Sequence, residues 1–214
     1  MERTNDAKGN ETDNDLRMAN IKALQEKKYS LLVTEELIAA YDCLLIPVIR
    51  NNKIGFIDHQ GNIAIKPLYI SINGSFTNKD SIVSARLHDR WEVIDYKGNI
   101  LHSLQNFQDL GAFTDGYAIA RNKRDYWGYV NKEGKPVIPF GKYTWYSNFE
   151  NDLARVIFRV NNMNLWGIID RRGSEVLQPQ YNRIDTLENL NRVWIEDLKN
   201  RSYFIDLSKL KKKL

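Results

Sequence analysis

The chain reads "WGYVNKEGKPVIP" at residues 127–139 and "WGIIDRRGSEVLQP" at residues 166–179. In both stretches Trp-Gly precedes an apolar pair, then an Asp or Asn, and then a glycine three residues further on. The same anchor recurs five times along the chain, at intervals of 37, 36, 39 and 36 residues. The five anchor residues are Asp58, Asp95, Asn131, Asp170 and Asp206. This regularity predicts an internal repeat of about 37 residues.

Other positions keep the same register within the repeat. The glycine after the anchor stands at Gly61, Gly98, Gly134 and Gly173. The tryptophan before it stands at Trp91, Trp127 and Trp166, with Ile54 in the first copy. Proline, tyrosine and a bulky apolar residue follow downstream in three copies: Pro67, Tyr69 and Phe76; Pro139, Tyr143 and Phe149; Pro179, Tyr181 and Leu187. The repeated tryptophans are interpreted as core residues.

Each block predicts a local structure. Asp or Asn at the first turn position and glycine at the fourth are typical of a hairpin turn followed by a bulge. The flanking runs are short and rich in aromatic and β-branched residues, which predicts strands. Proline is expected to end the second strand because it cannot donate to a ladder. Each unit therefore holds three or four short strands, and copies must stack to bury their apolar faces.

The same residues resemble a known family, the WG-containing repeat, also called the KWG repeat. The clearest matches are "YWGYVNKEGKPVIPFGKY" (126–143), "FTDGYAIAR" (113–121) and "LWGIIDRRGSEVLQPQY" (165–181). The first unit keeps the frame, whereas "RWEVIDYKGNI" (90–100) loses the glycine after Trp91 and its Pro-Tyr, and the fifth copy is a stub. The resemblance implies an all-β repeat scaffold, found mostly in bacteria, that mediates interactions and has no shared catalytic residues.

The predicted fold is an all-β array of hairpin units with a short N-terminal helical segment. Both an open β-solenoid and a propeller-like arrangement fit the pattern. The predicted organisation is a disordered polar tail at 1–15, a helical segment or cap at 16–42, the repeat array at 43–208 with its last copy truncated, and a basic tail at 209–214.

Composition narrows the function classes. The 214 residues carry a net charge of +4 and one cysteine, Cys43, so no internal disulfide can form. No run approaches the roughly 20 apolar residues of a membrane helix, and the polar N-terminus lacks a leader pattern, which together predict a cytoplasmic protein. The sequence has no basic stripe with interleaved aromatic residues, which is the pattern that would indicate nucleic-acid binding. No cofactor or metal motif is found, and His59, His88 and His102 share no ligand spacing.

The candidate binding residues are aromatics that the repeat does not require. The segment 140–150 is rich in aromatic residues, and Trp145 occupies a slot where a sister repeat has Arg183. An exposed tryptophan there suits an interface hot spot or a sugar-stacking site. The candidate set is Trp145, Tyr146, Tyr126 and Phe140. No catalytic residue and no metal ligand is predicted.

The sequence thus favours a non-enzymatic repeat module that binds another protein through one face of its array. A carbohydrate or cell-wall polymer module is an alternative that exposed aromatics would also serve. An enzyme without a recognisable motif is a third, and it would require a deep cleft with converging carboxylates.

Overall fold

A computed structural model describes residues 22, 29–32, 43–77, 81–187 and 192–207. Within these residues every element longer than one residue is a β-strand, and only the isolated positions Lys22 and Leu207 are helical, so the all-β prediction is confirmed. The chain divides into two compact units, the first ending at residue 105 and the second beginning at residue 106. The predicted tails at 1–15 and 209–214 lie outside the described residues.

The first unit contains two four-stranded antiparallel sheets, each built from consecutive strands. Sheet 1 contains β1 (Ser30–Leu31), β2 (Ile46–Arg50), β3 (Lys53–Ile57) and β4 (Ile63–Tyr69). Sheet 2 contains β5 (Ser71–Asn73), β6 (Ile82–Arg86), β7 (Trp91–Asp95) and β8 (Ile100–Leu104).

The second unit contains three more sheets of the same meander. Sheet 3 contains β9 (Phe107–Leu110), β10 (Tyr117–Asn122), β11 (Trp127–Asn131) and β12 (Pro136–Ile138). Sheet 4 contains β13 (Trp145–Tyr146), β14 (Leu153–Val160), β15 (Met163–Asp170) and β16 (Glu175–Tyr181). Sheet 5 contains β17 (Arg183–Ile184), β18 (Arg192–Glu196) and β19 (Ser202–Asp206). The anchor turn thus follows the third strand in sheets 1 to 4.

The helical segment predicted at 16–42 is wrong at Ser30–Leu31, whereas the single described residue Lys22 is helical. Ser30–Leu31 forms β1 and pairs with β2, and most of the remaining range lies outside the described residues. Tyr29 and Leu31 pack against a small cluster that includes Val48. Alternate residues of an extended chain can cover this cluster, so packing outweighs the helical spacing of the sequence.

The anchor turns form as the sequence predicts. In the fourth copy Asp170 Oδ1 accepts hydrogen bonds from the backbone N–H groups of Arg172 at 2.9 Å and Ser174 at 2.8 Å. Gly173 has a φ of 80°, which a side chain would strain. The first three copies show the same anchor bond to the backbone N–H four residues on, with Asp58 to Asn62, Asp95 to Asn99 and Asn131 to Lys135.

Two further turns with the same hydrogen bonds were not predicted from the sequence. Asn122 accepts the backbone N–H groups of Arg124 and Tyr126, and Asp197 does the same in sheet 5. Asp125 and Asn200 occupy the glycine position with φ values of 68° and 58°. Asn and Asp tolerate the left-handed conformation, so a pattern that requires glycine misses these turns.

The glycine of Trp-Gly faces a bulge in the next strand. Trp166 pairs with Tyr181 and Ile168 pairs with Leu177, so three residues of β16 lie opposite Gly167 alone. A Cβ on Gly167 would lie 2.8 Å from the Leu177 carbonyl oxygen and 2.9 Å from the Pro179 ring. Backbone therefore occupies the space that a side chain would need.

The same crowding occurs in sheets 1 and 3. A Cβ on Gly55 would lie 2.5 Å from the Ile65 carbonyl oxygen, and one on Gly128 would lie 2.9 Å from that of Ile138. The expectation that proline ends the second strand is wrong for β4 and β16, which continue through Pro67 and Pro179. The bulge removes the need for a ladder bond at the proline, so the strand can continue.

Sheet 2 lacks both the glycine after the tryptophan and the bulge opposite that position. Glu92 pairs with Ser103, and its neighbours Trp91 and Val93 pair in the same register with β8. One residue opposes one residue here, so a side chain fits where the other copies need glycine. The loss of Pro-Tyr and the loss of glycine in this copy therefore have one structural cause.

Repeated tyrosines and phenylalanines form the cores between neighbouring sheets within each unit. Sheets 1 and 2 share a buried cluster that includes Tyr69 and Phe76. Sheets 3 and 4 share another around Tyr143 and Phe149, and sheets 4 and 5 share a third that includes Tyr181. The downstream half of each sequence repeat therefore supplies the packing between one sheet and the next.

The longest repeat interval contains the longest hairpin. β14 and β15 form eight residue pairs, whereas β10 and β11 form five. Asn161 and Asn162 make the turn with φ values of 48° and 62°. Two consecutive positive φ values define a type I′ turn, which suits a two-residue hairpin.

We predict that Gly167→Ala lowers the free energy of unfolding by about 1–3 kcal/mol, because the added methyl group collides with β16 backbone. Gly167→Ser should cost at least as much. Urea unfolding measures both variants. Gln178→Ala, an exposed change on the same bulged strand, is the control and should change stability by under about 0.5 kcal/mol. A Gly167→Ala protein as stable as wild type would contradict the close approach.

Candidate functional site

The clearest exposed aromatic feature lies in sheet 4. Trp145 in β13 pairs with Ile157 in β14, and Ile157 pairs with Trp166 in β15. Directly paired residues share one face of a sheet, so the three side chains form a row. The two indole rings lie 5.3 Å apart at 57°. Trp145 is 40% exposed, as expected from the arginine in its sister position.

Arg155 lies two residues from Ile157 on β14 and shares this face. Its guanidinium carbon lies 5.8 Å from the ring centres of both Trp145 and Trp166. One terminal nitrogen donates to the Ile184 carbonyl oxygen at 3.3 Å. Among the described residues its buried Nε has no hydrogen-bond partner. Trp145, Arg155, Ile157 and Trp166 are called the Trp145 patch below.

Tyr146, another candidate, lies in the core instead of on the surface. It is 5% exposed, and its ring meets Tyr129 edge-on at 5.3 Å and Tyr143 edge-on at 5.6 Å. Its hydroxyl oxygen accepts the backbone N–H of Tyr143 at 3.2 Å. Strand alternation turns it to the face opposite Trp145, so it cannot contribute to the same surface.

Tyr126 and Phe140 lie near sheet 3 and have neighbours of their own. Tyr126 is 53% exposed. Its ring packs so closely on Gly141 that a Cβ added there would lie 3.1 Å from a ring carbon. Phe140 stacks on Phe107 with ring centres 6.0 Å apart. The structure therefore separates the predicted set: Trp145 lies in the Trp145 patch, Tyr146 in the core, and Tyr126 and Phe140 near sheet 3.

The repeated tryptophans are not uniformly buried. Trp91 is 2% exposed, but Trp127 is 37% exposed and Trp166 is half-buried. Their interpretation as core residues is therefore wrong for Trp127. Arg121 lies over the Trp127 ring at 5.4 Å and also bonds Asp109. A cation–π contact replaces burial there.

A cavity in the first unit holds the other notable cluster, which the sequence analysis did not nominate. Its volume is about 370 Å³, and it lies between β4 and sheet 2. Glu92 lines it while only 2% exposed. Arg90 donates to Glu92 Oε1 at 3.0 Å, and the Tyr69 hydroxyl donates to Oε2 at 3.2 Å. A glutamate in place of the repeated glycine was the sequence signal for this cluster.

This cluster alters the acidity of Tyr69. Burial raises the pKa of Tyr69 to about 12, and the Glu92 charge acts in the same direction. Burial likewise raises the pKa of Tyr143 to about 12, and the Tyr143 hydroxyl donates a hydrogen bond to Glu175 Oε1 at 2.8 Å. Both hydroxyls therefore act as neutral hydrogen-bond donors at ordinary pH.

The described residues contain neither a metal-binding cluster nor a membrane-spanning helix. In that part of the chain no group of three or more His, Cys, Asp or Glu residues is arranged to hold a metal ion. No helix there has the length and apolar character needed to cross a membrane.

The family comparison agrees with the sequence pattern. The family model of the WG containing repeat matches residues 54–91, 127–158 and 166–196. The match confirms the resemblance over these three segments. Each matched segment starts in the third strand of one sheet and ends in the next sheet. The sequence repeat therefore spans a junction between sheets instead of coinciding with one sheet.

Solved structures give a likeness of fold. The crystal structure of the eukaryotic initiation factor aligns with a TM-score of 0.50 and 11% identity, covering 78% of this chain and 51% of that chain. This chain thus spans about half the length of that structure. At this identity the likeness concerns the fold alone.

Two weaker likenesses involve fungal structures. The Pan2 WD40 domain of Neurospora crassa aligns with a TM-score of 0.40 at 10% identity, covering 76% of this chain and 62% of that one. Hsv2p of Kluyveromyces lactis aligns with a TM-score of 0.39 at 8% identity, covering 84% and 73%. No curated protein matches the chain.

We predict that Tyr69 titrates near pH 12 and that Glu92→Gln lowers its pKa, because the variant removes a neighbouring negative charge. The folded pKa lies above the ordinary value of about 10. The associated stability is therefore complete below pH 10 and is lost as the pH rises through 12. Tyrosine-labelled NMR measures the titration, with Tyr69→Phe to assign the signal. Deprotonation of Tyr69 near pH 10 in wild type would contradict this environment.

Proposed function

We propose that the chain is a non-enzymatic interaction module that binds a partner protein through the Trp145 patch. The observation that carries the proposal is the partly exposed Trp145 ring, packed on Trp166 beside Arg155. Tryptophan and arginine are the residues most enriched among interface hot spots. This surface concentrates side chains suited to binding. It does not present a paired acid and base.

The patch is pre-ordered for binding. Trp145 is held by β-pairing to Ile157 and by its contact with Trp166. A ring that is already fixed loses little rotamer freedom when a partner covers it. The apolar row at the centre and the guanidinium beside it can therefore contribute binding energy without a large ordering cost.

Charge suggests the chemistry of the partner. Arg155 and Arg159 both project from β14 on the face of Trp145, and among the described residues neither forms an ion pair. A partner segment that combines apolar side chains with Asp or Glu would complement this surface. The proposed partner is therefore a protein with an acidic, apolar segment.

The test is an affinity purification from native lysate followed by titration with the recovered partner. Trp145→Ala should weaken binding by about thirty-fold, which corresponds to a hot-spot loss of about 2 kcal/mol. Tyr96→Ala is the matched control, since Tyr96 is an aromatic residue of similar exposure in the other unit. Circular dichroism verifies that both variants fold.

The outcomes separate the candidate functions. A partner lost by Trp145→Ala and kept by Tyr96→Ala supports the proposal. Equal binding by both variants contradicts the Trp145 patch as the site. Recovery of a polysaccharide that depends on Trp145 would favour the carbohydrate alternative, because an exposed indole also stacks on sugar rings.

A further inference from the structure

The cavity in the first unit is a second, independent candidate for binding. It occupies about 370 Å³, within the range of small-molecule pockets. Glu92 and Tyr69 line its buried part. Leu68 and Ile100 are 54% and 53% exposed and form apolar parts of its mouth. The cavity therefore joins an apolar entrance to a polar, hydrogen-bonded interior.

Room for this cavity arises from the departure of sheet 2 from the repeat. In sheets 1, 3 and 4 the glycine lies against backbone of the following strand. Glu92 replaces that glycine, and it pairs with Ser103 in regular register. The Glu92 side chain then points to the same face as Ile94, which packs toward sheet 1.

The internal charges of the cavity are compensated. Glu92 bonds Arg90 at 3.0 Å and the Tyr69 hydroxyl at 3.2 Å. Arg90 also bonds Asp89 at 3.1 Å, outside the lining. A buried carboxylate requires such partners. The interior therefore contributes no uncompensated charge toward a ligand.

The remaining charged groups are both cations. Lys66 and Lys97 line the cavity and are exposed. Lys97 lies 5.6 Å over the Tyr96 ring. Burial acts to raise the pKa of the nearby Asp95, but hydrogen bonds from Asn99 and Lys97, together with the Lys97 charge, lower it overall. Neither lysine has an ion-pair partner in the described part of the chain. The two lysines therefore bring ammonium groups to an apolar mouth.

We propose that this cavity binds a small amphiphilic carboxylate, with its carboxylate at Lys66 and Lys97 and its apolar body on Leu68 and Ile100. Each lysine attracts an anion as a point charge, and the exposed leucine and isoleucine gain from losing contact with water. This site is separate from the Trp145 patch, and it adds small-molecule recognition to the proposed function.

The experiment titrates the isotope-labelled full chain with octanoate, 1-octanol and octylammonium and follows backbone NMR shifts. Octanoate should produce saturable shifts at residues 64–69 and 97–100. The Lys66→Gln/Lys97→Gln variant should weaken octanoate binding by about five-fold or more, as expected for losing about 1 kcal/mol. Both lysines are exposed, so the variant keeps the fold.

The matched control is the Lys132→Gln/Lys135→Gln variant, which changes two lysines at the anchor turn of sheet 3. It should leave octanoate binding unchanged. Three results would overturn the proposal. These are an absence of saturable shifts in the cavity, equal binding of octanoate and octylammonium, and undiminished binding by the Lys66→Gln/Lys97→Gln variant. Trp145→Ala should not alter octanoate binding, so failure here remains distinguishable from failure of the partner-binding proposal.

Discussion

The fold depends on strands whose two faces are both buried. In β15 the consecutive residues Ile168 and Ile169 are fully buried, yet Ile168 packs in the core toward sheet 5 and Ile169 in the core toward sheet 3. Neighbouring residues of a strand point to opposite faces, so this strand needs a sheet on each side. Each buried isoleucine contributes about 1.5–3 kcal/mol. A single isolated sheet would leave that apolar surface in water, which explains why the sequence repeat spans sheet junctions.

Much of this fold was predictable because the same local chemistry recurs. The Asp-x-x-Gly turns stood out because both hydrogen bonding and a positive φ restrict the residue type, as at Asp170 and Gly173. The bulge opposite Gly167 was not predictable, because proline in a strand usually indicates an end. Only the pairing register of β15 and β16 shows that three residues of β16 lie opposite Gly167. The strand at Ser30–Leu31 was also missed, since two residues carry too little periodicity to outweigh a helical pattern.

The candidate sites lie where the chain departs from its own repeat. Trp145 occupies the position that Arg183 holds in sheet 5, and Glu92 occupies a glycine position. Residues that the fold requires are shared by the copies, so they carry little information about a particular partner. The exposure of Trp145 followed from that comparison. The burial of Tyr146 depends on strand alternation, and the Glu92 cavity depends on register. Neither could be obtained from residue types alone.

We propose that one surface of sheet 4, built on an ordinary repeat, makes the chain a binding module. Hydrogen–deuterium exchange on the free chain and on its purified partner complex tests this most directly. Exchange should slow in peptides covering 144–146 and 155–166 and stay unchanged in peptides covering 53–69. Slowing confined to 53–69, with no change around Trp145, would contradict it.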